Sequence, residues 1–260
     1  MEQEYYREYA RLENTHWWFT ARLNILRNVV RESLRRKPTE QVSILNTGVA
    51  TGNTTRMLEQ FGQVTSVEYD AECCDYLRTQ AHIDVVQASL TELPFGDNSF
   101  DVVCAFDVIE HIENDQQAIN EINRVLKPGG TAVVTVPAYN LLWSKHDEVN
   151  HHYRRYNISH LKNILRNKLT IRYISYFNCF LFLPISLARI VGRAMGRKKT
   201  HERPPESDFK NYQWLRFLGR LLYSVFNFER NLVGKVRMPF GVSLIVISSK
   251  QLNHEIRPGS

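Results

Sequence analysis

Histidines follow two apolar runs of this 260-residue sequence, in positions where they could carry out acid–base chemistry. His111 comes shortly after an apolar run at residues 100–105, and His152 lies in a polar stretch, residues 147–156, that follows a second apolar run at 130–136. A positioned imidazole can remove a proton from an alcohol or amine, because its ordinary pKa lies close to neutral pH. His111 and His152 are therefore candidate catalytic bases. The alternative for His111 is a structural role in which it only orients the loop.

The polar stretch at 147–156 also offers groups that could bind a substrate. We expect it to form a lid over the substrate, in which an arginine guanidinium binds a phosphate or carboxylate. A surface loop that pairs its own charges is the alternative interpretation. No metal site is predicted, because the histidines and carboxylates show no clean ligand spacing. The candidate substrate-binding residues of this stretch are His151, Arg154, Arg155 and Tyr156.

Small residues follow the first predicted strand, and a helix is predicted directly after them. Gly48, Ala50 and Gly52 let the backbone turn tightly and approach a ligand. The N–H groups at the start of the helix can bind a carboxylate or phosphate. Glu68 ends the next strand, where its carboxylate can accept hydrogen bonds from two ribose hydroxyls. A dinucleotide fingerprint would need glycine at positions 50 and 53, so NAD is disfavoured.

Short apolar runs alternate with amphipathic stretches along the chain. This alternation predicts an α/β fold, namely a Rossmann-like, seven-stranded, mainly parallel sheet with helices on both faces. The predicted strands are 42–46, 64–68, 84–87, 100–105, 130–136, 169–176 and 241–248, and the predicted helices lie within 2–36 and at 54–61, 71–80, 115–126 and 159–167. The predicted units are an N-terminal helical cap (1–38), a ligand-binding core (39–176), a helical insertion before the last strand (177–240), the final core strand (241–250) and a tail (251–260).

The net charge of +6 is unevenly distributed. Residues 42–176 carry 11 Lys and Arg against 16 Asp and Glu, whereas residues 177–240 carry 12 against 4. The basic segment is also rich in Leu, Phe, Trp and Tyr, so an anionic membrane surface, an apolar substrate tail or a second subunit could contact it. No apolar run is long enough to span a membrane, no signal peptide is evident, and the four cysteines have no CxxC spacing. A cytoplasmic location, with peripheral membrane contact, is therefore predicted.

Three blocks occur in a fixed order downstream of the glycine-containing loop. They are Leu93-Pro-Phe-Gly-Asp-Asn-Ser-Phe-Asp-Val-Val, Asp107-Val-Ile-Glu-His and Glu121-Ile-Asn-Arg-Val-Leu-Lys-Pro-Gly-Gly. Through these blocks and the acidic end of the second strand, the sequence resembles the class I S-adenosylmethionine-dependent methyltransferases over about residues 40–176. The resemblance is greatest to the small-molecule branch that contains the ubiquinone and sterol methylating enzymes. It implies that S-adenosylmethionine is the cofactor and that its methyl group passes to a small molecule.

The resemblance also implies where the cofactor binds. Its methionine part would lie against the loop after the first strand, its ribose against Glu68, and its methyl group beside His111. The cofactor-binding residues implied in this way are Asn46, Gly48, Ala50, Gly52, Glu68, Tyr69, Ser89, Leu90 and Phe106. The family usually has Asp, Gly and Asp where this chain has Asn46, Ala50 and Ser89. Because a charged hydrogen bond contributes about 1.5–3 kcal/mol, cofactor affinity is expected to fall about ten- to a hundredfold.

The N-terminal segment Glu13-Asn-Thr-His-Trp-Trp-Phe-Thr-Ala-Arg is similar to a leader of relatives encoded with cell-surface polysaccharide and lipid-carrier genes. That similarity favours an oxygen of a glycan, lipid-linked or secondary metabolite as the acceptor. His16 and Trp18 are candidate substrate contacts, with core packing as the alternative for the tryptophans.

Two other functions remain open for the whole chain. The first is a cyclase-like tailoring enzyme with the same fold but no methyl transfer, and the second is a membrane- or partner-binding module with a degenerate pocket. A nucleic-acid partner is not expected, because no Asn/Asp-Pro-Pro-Tyr-type tetrapeptide follows the fourth strand and no RNA-binding domain is present.

Overall fold

The computed structural model of the protein describes residues 3–35, 42–194 and 216–252. Its strands are β1 (Ser43–Thr47), β2 (Gln63–Glu68), β3 (Val85–Gln87), β4 (Phe100–Phe106), β5 (Leu126–Pro137), β6 (Leu169–Phe177) and β7 (Ser243–Lys250). They form one sheet in the order β3-β2-β1-β4-β5-β7-β6. Strands β1 to β5 are parallel to one another. Strand β7 runs antiparallel to its two neighbours, β5 and β6. The predicted seven-stranded, mainly parallel sheet is confirmed.

Helices cover both faces of the sheet, as a mainly parallel sheet requires. They are α1 (Gln3–Thr15), α2 (Trp17–Leu34), α3 (Asn53–Leu58), α4 (Ala71–Thr79), α5 (Asp115–Val125), α6 (Lys145–Val149), α7 (Ile158–Leu165), α8 (Phe182–Ala194) and α9 (Arg216–Phe228). Helices α5 and α7 pack on one face in a core cluster with β4 to β7. Helices α2, α3 and α9 pack on the other face.

The second helix, α2, shows how the sequence builds this packing. It begins after His16, whose Nδ1 accepts a hydrogen bond from the backbone N–H of Trp18. Its buried face recurs at helical spacing, and each fully buried aliphatic side chain contributes about 1.5–3 kcal/mol. Trp18 stacks on Phe226 of α9, with ring centroids 6.3 Å apart. The buried residues of the helix are Ala21, Ile25, Leu26, Val29, Val30 and Leu34.

Helices α8 and α9 lie between β6 and β7, within the segment predicted to be an insertion. The fully buried Glu229, just after α9, accepts hydrogen bonds from the backbone N–H groups of Asn178, Cys179 and Phe180 at 2.6, 2.7 and 3.0 Å. This carboxylate fixes the end of α9 to the chain leaving β6. The predicted loop at 198–207 and residues 253–260 of the predicted tail lie outside the described residues. Within the described ranges, no helix is long and apolar enough to cross a membrane.

Candidate functional site

The carboxyl ends of β1, β2, β4 and β5 meet at one edge of the sheet, because these strands run parallel. Ligands of open α/β sheets bind at this edge, where the loops after adjacent strands diverge. The glycine-containing loop after β1 and the histidine-containing segments after β4 and β5 both lie there. The edge therefore brings together the two sets of residues that the sequence singled out.

The loop after β1 turns through three residues with left-handed backbone. The φ angles are +65° at Gly48, +48° at Ala50 and +91° at Gly52. A Cβ atom at Gly48 would lie 2.5 Å from Val108 Cγ2, and one at Gly52 would lie 2.2 Å from Ile83 Cδ1. Packing as well as backbone angle therefore requires glycine at both positions. Ala50 keeps a methyl group in a conformation that costs an L-residue about 1–2 kcal/mol.

Glu68, at the end of β2, holds this loop in place. Its Oε2 accepts the backbone N–H of Ala50 at 3.1 Å, and its Oε1 accepts those of Tyr69 and Asp70 at 2.8 and 3.2 Å. A carboxylate offers about four acceptor sites, so these three bonds leave about one for a ligand. Glu68 is thus largely engaged in holding the loop, and the two ribose hydroxyls predicted to bind it would have to replace part of this backbone network.

Asn46 lies below the loop and is fully buried. Its Nδ2 donates to the hydroxyls of Thr54 and Thr55, both at 3.0 Å. Its Oδ1 has no hydrogen-bond partner among the described residues and is inaccessible to water. A buried acceptor without a donor costs about 1–3 kcal/mol, which a donor such as an ammonium group would offset. Asn46 therefore fits a ligand that carries a donor at the loop.

The remaining predicted cofactor residues differ in how exposed they are. Tyr69 follows β2 with 75% of its surface exposed, as a side chain that stacks on a ligand would be. Ser89 is half-buried and hydrogen-bonds to the Thr91 hydroxyl at 2.7 Å. Leu90 is buried in the core cluster under α5, and Phe106 in the cluster under α2. Phe106 packs within the core, and its implied role in cofactor binding stays a prediction.

A cluster of a carboxylate and two imidazoles follows β4. Ligand atoms of Glu110, His111 and His152 lie within 4.8 Å of one another, and the rings of the two histidines meet edge to face at 4.5 Å. Burial, followed by the neighbouring Asp107, raises the pKa of Glu110 well above its usual range. Burial and the adjacent His152 lower the pKa of His111 to about 4. His111, whose surface is partly exposed, is therefore neutral at pH 7 and can accept a proton.

The buried ion pair between Asp147 and Arg155 positions the His152 ring. Its Nδ1 lies 2.9 Å from Asp147 Oδ1, and Arg155 binds the same carboxylate through Nε at 2.7 Å and Nη2 at 2.9 Å. Although burial alone would raise it, these two partners lower the pKa of Asp147 far below its usual range. Asp147 is thus a carboxylate that orients the His152 ring and leaves its Nε2 for a ligand or proton.

The comparison with known proteins agrees with this geometry. Residues 45–134 match the family model described as a methyltransferase domain. The strand order of the sheet is that of the class I methyltransferase fold. The match begins in β1 and ends within β5, so it includes the loop after β1, Glu68 and the segment after β4.

Individual relatives match shorter stretches of the chain. A Mycobacterium tuberculosis protein named as an S-adenosylmethionine-dependent methyltransferase is 40% identical over 76 residues, which is 29% of this chain and 28% of that protein. The ubiquinone/menaquinone biosynthesis C-methyltransferase of a Ruegeria species is 40% identical over 81 residues, 31% of this chain and 29% of that protein. The matched stretches thus span less than a third of either relative.

A solved structure matches over a much greater length. A chain of the Haloferax volcanii complex between the Trm112 methyltransferase activator and a methyltransferase superposes with a TM-score of 0.58 at 17% identity. The superposition covers 96% of both chains. At this identity the likeness shows a shared fold.

Sequence reasoning missed the contacts that α1 makes with the cofactor side of the methyltransferase domain. The Glu13 carboxylate accepts hydrogen bonds from the Thr51 hydroxyl and from Asn53 Nδ2. Tyr6 donates to Asp70 Oδ1 at 3.0 Å and stacks on Tyr76. Helix α1 is therefore bound to the loop after β1 and to the segment after β2. Composition alone gave no signal for this, because Glu13 is one of many charged residues in the N-terminal segment.

Arg22 is a second residue that the sequence did not single out. From α2, its Nη2 donates to Asp107 Oδ2 at 2.6 Å and to the Thr135 hydroxyl at 3.0 Å. Its guanidinium carbon also lies 5.8 Å from the centroid of the Trp18 ring. Trp18 thus packs on α9 and contacts Arg22, which in turn binds Asp107. His16 caps α2 and packs beside the Trp17 and Phe19 rings.

The predicted anion-binding arginines are engaged within the protein. Arg154 donates to the carbonyls of Ile112 and Glu113 and lies 3.0 Å from Asp115 Oδ2, whereas the Arg155 side chain is only 3% exposed. Neither can bind a phosphate or carboxylate without giving up these partners. These contacts favour the alternative interpretation, a folded turn whose charges pair internally, with Tyr156 buried beneath it and His151 exposed at its surface, and the predicted lid stays a prediction.

Proposed function

We propose that this protein is an S-adenosylmethionine-dependent methyltransferase that transfers a methyl group to an oxygen of a small molecule. The observation that carries the proposal is the meeting of two sites at one sheet edge. The loop after β1, fixed by Glu68, lies at this edge together with the His111 and His152 imidazoles. The methyltransferase domain match and the names of the relatives support the choice of cofactor.

The residues present fit this cofactor. Asn46 Oδ1, which has no partner among the described residues, would accept a hydrogen bond from the ammonium group, and Glu68 would accept from the ribose. Tyr69 would stack on the adenine, and Ser89 would meet its polar edge. When bound, the cofactor supplies a methyl group on a positively charged sulfur, which is open to in-line attack.

The chain's own contribution to transfer is to align the acceptor and take its proton. An alcohol is a poor nucleophile until a base begins to remove its proton. His152 suits this role, because Asp147 orients its ring and stabilises the imidazolium that forms. His111 is neutral at pH 7 but, with a pKa of about 4, is the weaker base. His152 is therefore the proposed base, and His111 is proposed to position the acceptor.

The acceptor class is proposed from the leader and from α8. The similarity of the leader favours a glycan or lipid-linked metabolite, and the relatives named for ubiquinone and menaquinone biosynthesis are consistent with an apolar acceptor. Leu183 and Leu187 of α8 are 71% and 64% exposed, which supports contact with an apolar tail or with an anionic membrane surface. A homodimer through the same face is the competing proposal, and no nucleic-acid partner is proposed.

Calorimetric titration with S-adenosylmethionine and S-adenosylhomocysteine tests the cofactor. We expect micromolar binding that Glu68→Ala abolishes and that the exposed control Glu59→Ala leaves unchanged. No binding at millimolar ligand would overturn the proposal.

The acceptor side is tested separately by incubating the protein with candidate acceptors and following S-adenosylhomocysteine. His152→Gln is expected to retain cofactor binding and to lose turnover. Product that forms without consuming the cofactor would favour the cyclase-like alternative, and lipid binding without cofactor binding would favour the binding module.

A further inference from the structure

The cluster after β4 has the composition and spacing of a metal site. It offers a carboxylate oxygen of Glu110 and one ring nitrogen each of His111 and His152, all within 4.8 Å of one another. Three points this close fit within a circle of about 2.8 Å radius, whereas metal–ligand bonds to nitrogen and oxygen are about 2.0–2.2 Å. Small side-chain movements would therefore bring all three atoms into bonding distance of one cation.

Glu110 gives the first independent indication of a bound cation. The residue is 0% exposed, and apart from the backbone N–H of Glu110 itself neither carboxylate oxygen has a hydrogen-bond partner among the described residues. Buried charged groups in proteins are paired or coordinate metals, because leaving them unpaired is costly. Protonation would remove the charge of Glu110 but would leave its buried oxygens without partners, whereas a cation would satisfy both the charge and the oxygens.

The two histidines give a second indication, since their other nitrogens are already engaged. His152 Nδ1 lies 2.9 Å from Asp147 Oδ1, and the His111 ring hydrogen-bonds to the backbone of Asn150. Metal-binding histidines usually donate their second N–H to a carboxylate or a backbone carbonyl, which fixes the ring and its tautomer. The cluster thus has both a set of ligands and the outer partners that orient them.

The nearby arginines do not supply the missing positive charge. Arg155 is bound through two nitrogens to Asp147, and Arg22 is bound to Asp107 at 2.6 Å. Each of these cations is matched by its own carboxylate, so Glu110 is left with an uncompensated charge when ionised. A divalent cation would balance it and would reach the cluster from the exposed side of His111.

We propose that Glu110, His111 and His152 bind one divalent transition-metal ion, with Zn²⁺ preferred. Two imidazoles and one carboxylate suit Zn²⁺, and three protein ligands leave a fourth position for water or an acceptor oxygen. At that position the cation would polarise an acceptor hydroxyl and lower its pKa. In the metal-bound protein His152 is a ligand, so the cation takes over the activation of the acceptor that is proposed above for the metal-free His152. Binding of the ion itself does not depend on the proposed methyl transfer.

Metal titration of chelator-treated protein tests the site without cofactor or acceptor. We expect the full chain to bind one equivalent of Co²⁺, with the visible absorption of a four- or five-coordinate site, and Zn²⁺ to displace it. Glu110→Gln and His152→Gln are expected to weaken binding at least about 100-fold, beyond the usual loss from an outer-shell partner. The control His82→Asn alters an exposed histidine with φ of +53°, where asparagine is tolerated, and should bind as the parent protein does.

His111→Gln keeps the test decisive if the buried variants do not fold, because His111 is partly exposed and its replacement should leave the urea midpoint unchanged. The proposal is overturned if the parent protein binds no Co²⁺ or Zn²⁺ at millimolar concentration, or if the ligand variants bind as tightly as His82→Asn. It is also overturned if the infrared band of a protonated Glu110 carboxyl, absent in Glu110→Gln, persists in excess Zn²⁺. Failure of methyl transfer with intact metal binding would count only against the proposed function.

Discussion

The loop after β1 and the cluster after β4 share one sheet edge, but they are built in opposite ways. The loop uses backbone: left-handed residues, and a Glu68 carboxylate that accepts three N–H groups, all within a short stretch of chain. The cluster uses side chains from Glu110 to Arg155, joined through the buried Asp147. A site made of backbone depends on local conformation, whereas a site made of side chains depends on tertiary packing. The two should therefore respond differently to substitution.

Asp147→Ala should produce the largest loss of stability. It should disrupt the cluster after β4 but not the loop after β1. Removal of one partner from a buried ion pair leaves Arg155 uncompensated, which typically costs about 3–5 kcal/mol of unfolding free energy. Urea unfolding measures the loss, and calorimetry should show that any folded protein still binds S-adenosylmethionine. The double variant Asp147→Ala/Arg155→Met should recover part of the stability. A loss below about 1 kcal/mol would show that the cluster does not depend on this pair.

Asp101→Asn, at the opposite end of β4 from both sites, tests whether such losses stay local. Although burial would raise it, hydrogen bonds from Lys127 at 2.7 Å and from Ser43 lower the pKa of Asp101 to about 2. A depressed folded pKa stabilises the protein above the unfolded value of about 4, and this is lost as pH falls toward 2. We expect Asn to remove about 1–2 kcal/mol at pH 7, allowing for the 40% exposure of Lys127.

The acid-unfolding curve measures the effect of Asp101→Asn. The difference between parent and variant should vanish below about pH 2, where the carboxyl is protonated in both states. The control Asp97→Asn, whose side chain is 70% exposed, should change little. A change in cofactor or metal affinity on Asp101→Asn would contradict the separation of the two ends of the strand.

Asn46→Asp should strengthen cofactor binding at the loop after β1 and leave the cluster after β4 unchanged. The Thr54 and Thr55 hydroxyls can rotate to donate to a carboxylate, which would then attract the cofactor's ammonium group. We expect about a tenfold gain in S-adenosylmethionine affinity by calorimetry, with metal binding unchanged. The exposed control Asn98→Asp should have no effect on either. Weaker cofactor binding in Asn46→Asp would place the ammonium group elsewhere.

Ala50→Gly should have the smallest effect, and its sign is informative. Relief of the φ of +48° is worth about 1–2 kcal/mol, and the greater freedom of glycine in the unfolded chain offsets about 0.4–1 kcal/mol of this. Thermal unfolding should therefore show a stabilisation of about 0.5 kcal/mol. Ala71→Gly, at the start of α4, should instead destabilise the protein, because its backbone is helical. The same sign for both variants would mean that Ala50 is not strained.

The loop side was predictable because its signals are close together in the sequence. Gly48, Gly52 and Glu68 are set by local turn geometry and by the end of a strand, and the strands themselves followed from their apolar runs. His111 and His152 were found by residue type, but Glu110 was passed over, since a glutamate beside a histidine has no distinctive spacing. Its burial beside His152, 42 positions away, is a property of the folded chain.

The contacts that the sequence did not indicate have a similar physical origin. Arginines in a polar stretch suggested a ligand for Arg154 and Arg155, yet the fold supplies Asp115 and Asp147 as internal partners. Glu13 and Arg22 are the two ends of the N-terminal leader segment, but their partners Asn53 and Asp107 lie 40 and 85 positions away, so the segment itself did not indicate these contacts. Long-range pairing of charged side chains was the part that could not be inferred.

Glu229 bears on how this protein can diverge or be redesigned. Its carboxylate accepts hydrogen bonds from three consecutive backbone N–H groups after β6. A single side chain thus joins the start of the segment that contains α8 and α9 to its end. These hydrogen bonds do not involve the residues that connect the two helices, so they should not depend on the sequence or the length of that connection. We expect that a connecting segment from another protein could be grafted between α8 and α9 while β6 and β7 keep their register. The segment proposed to contact the acceptor could then be exchanged during evolution while the residues at the sheet edge stay the same.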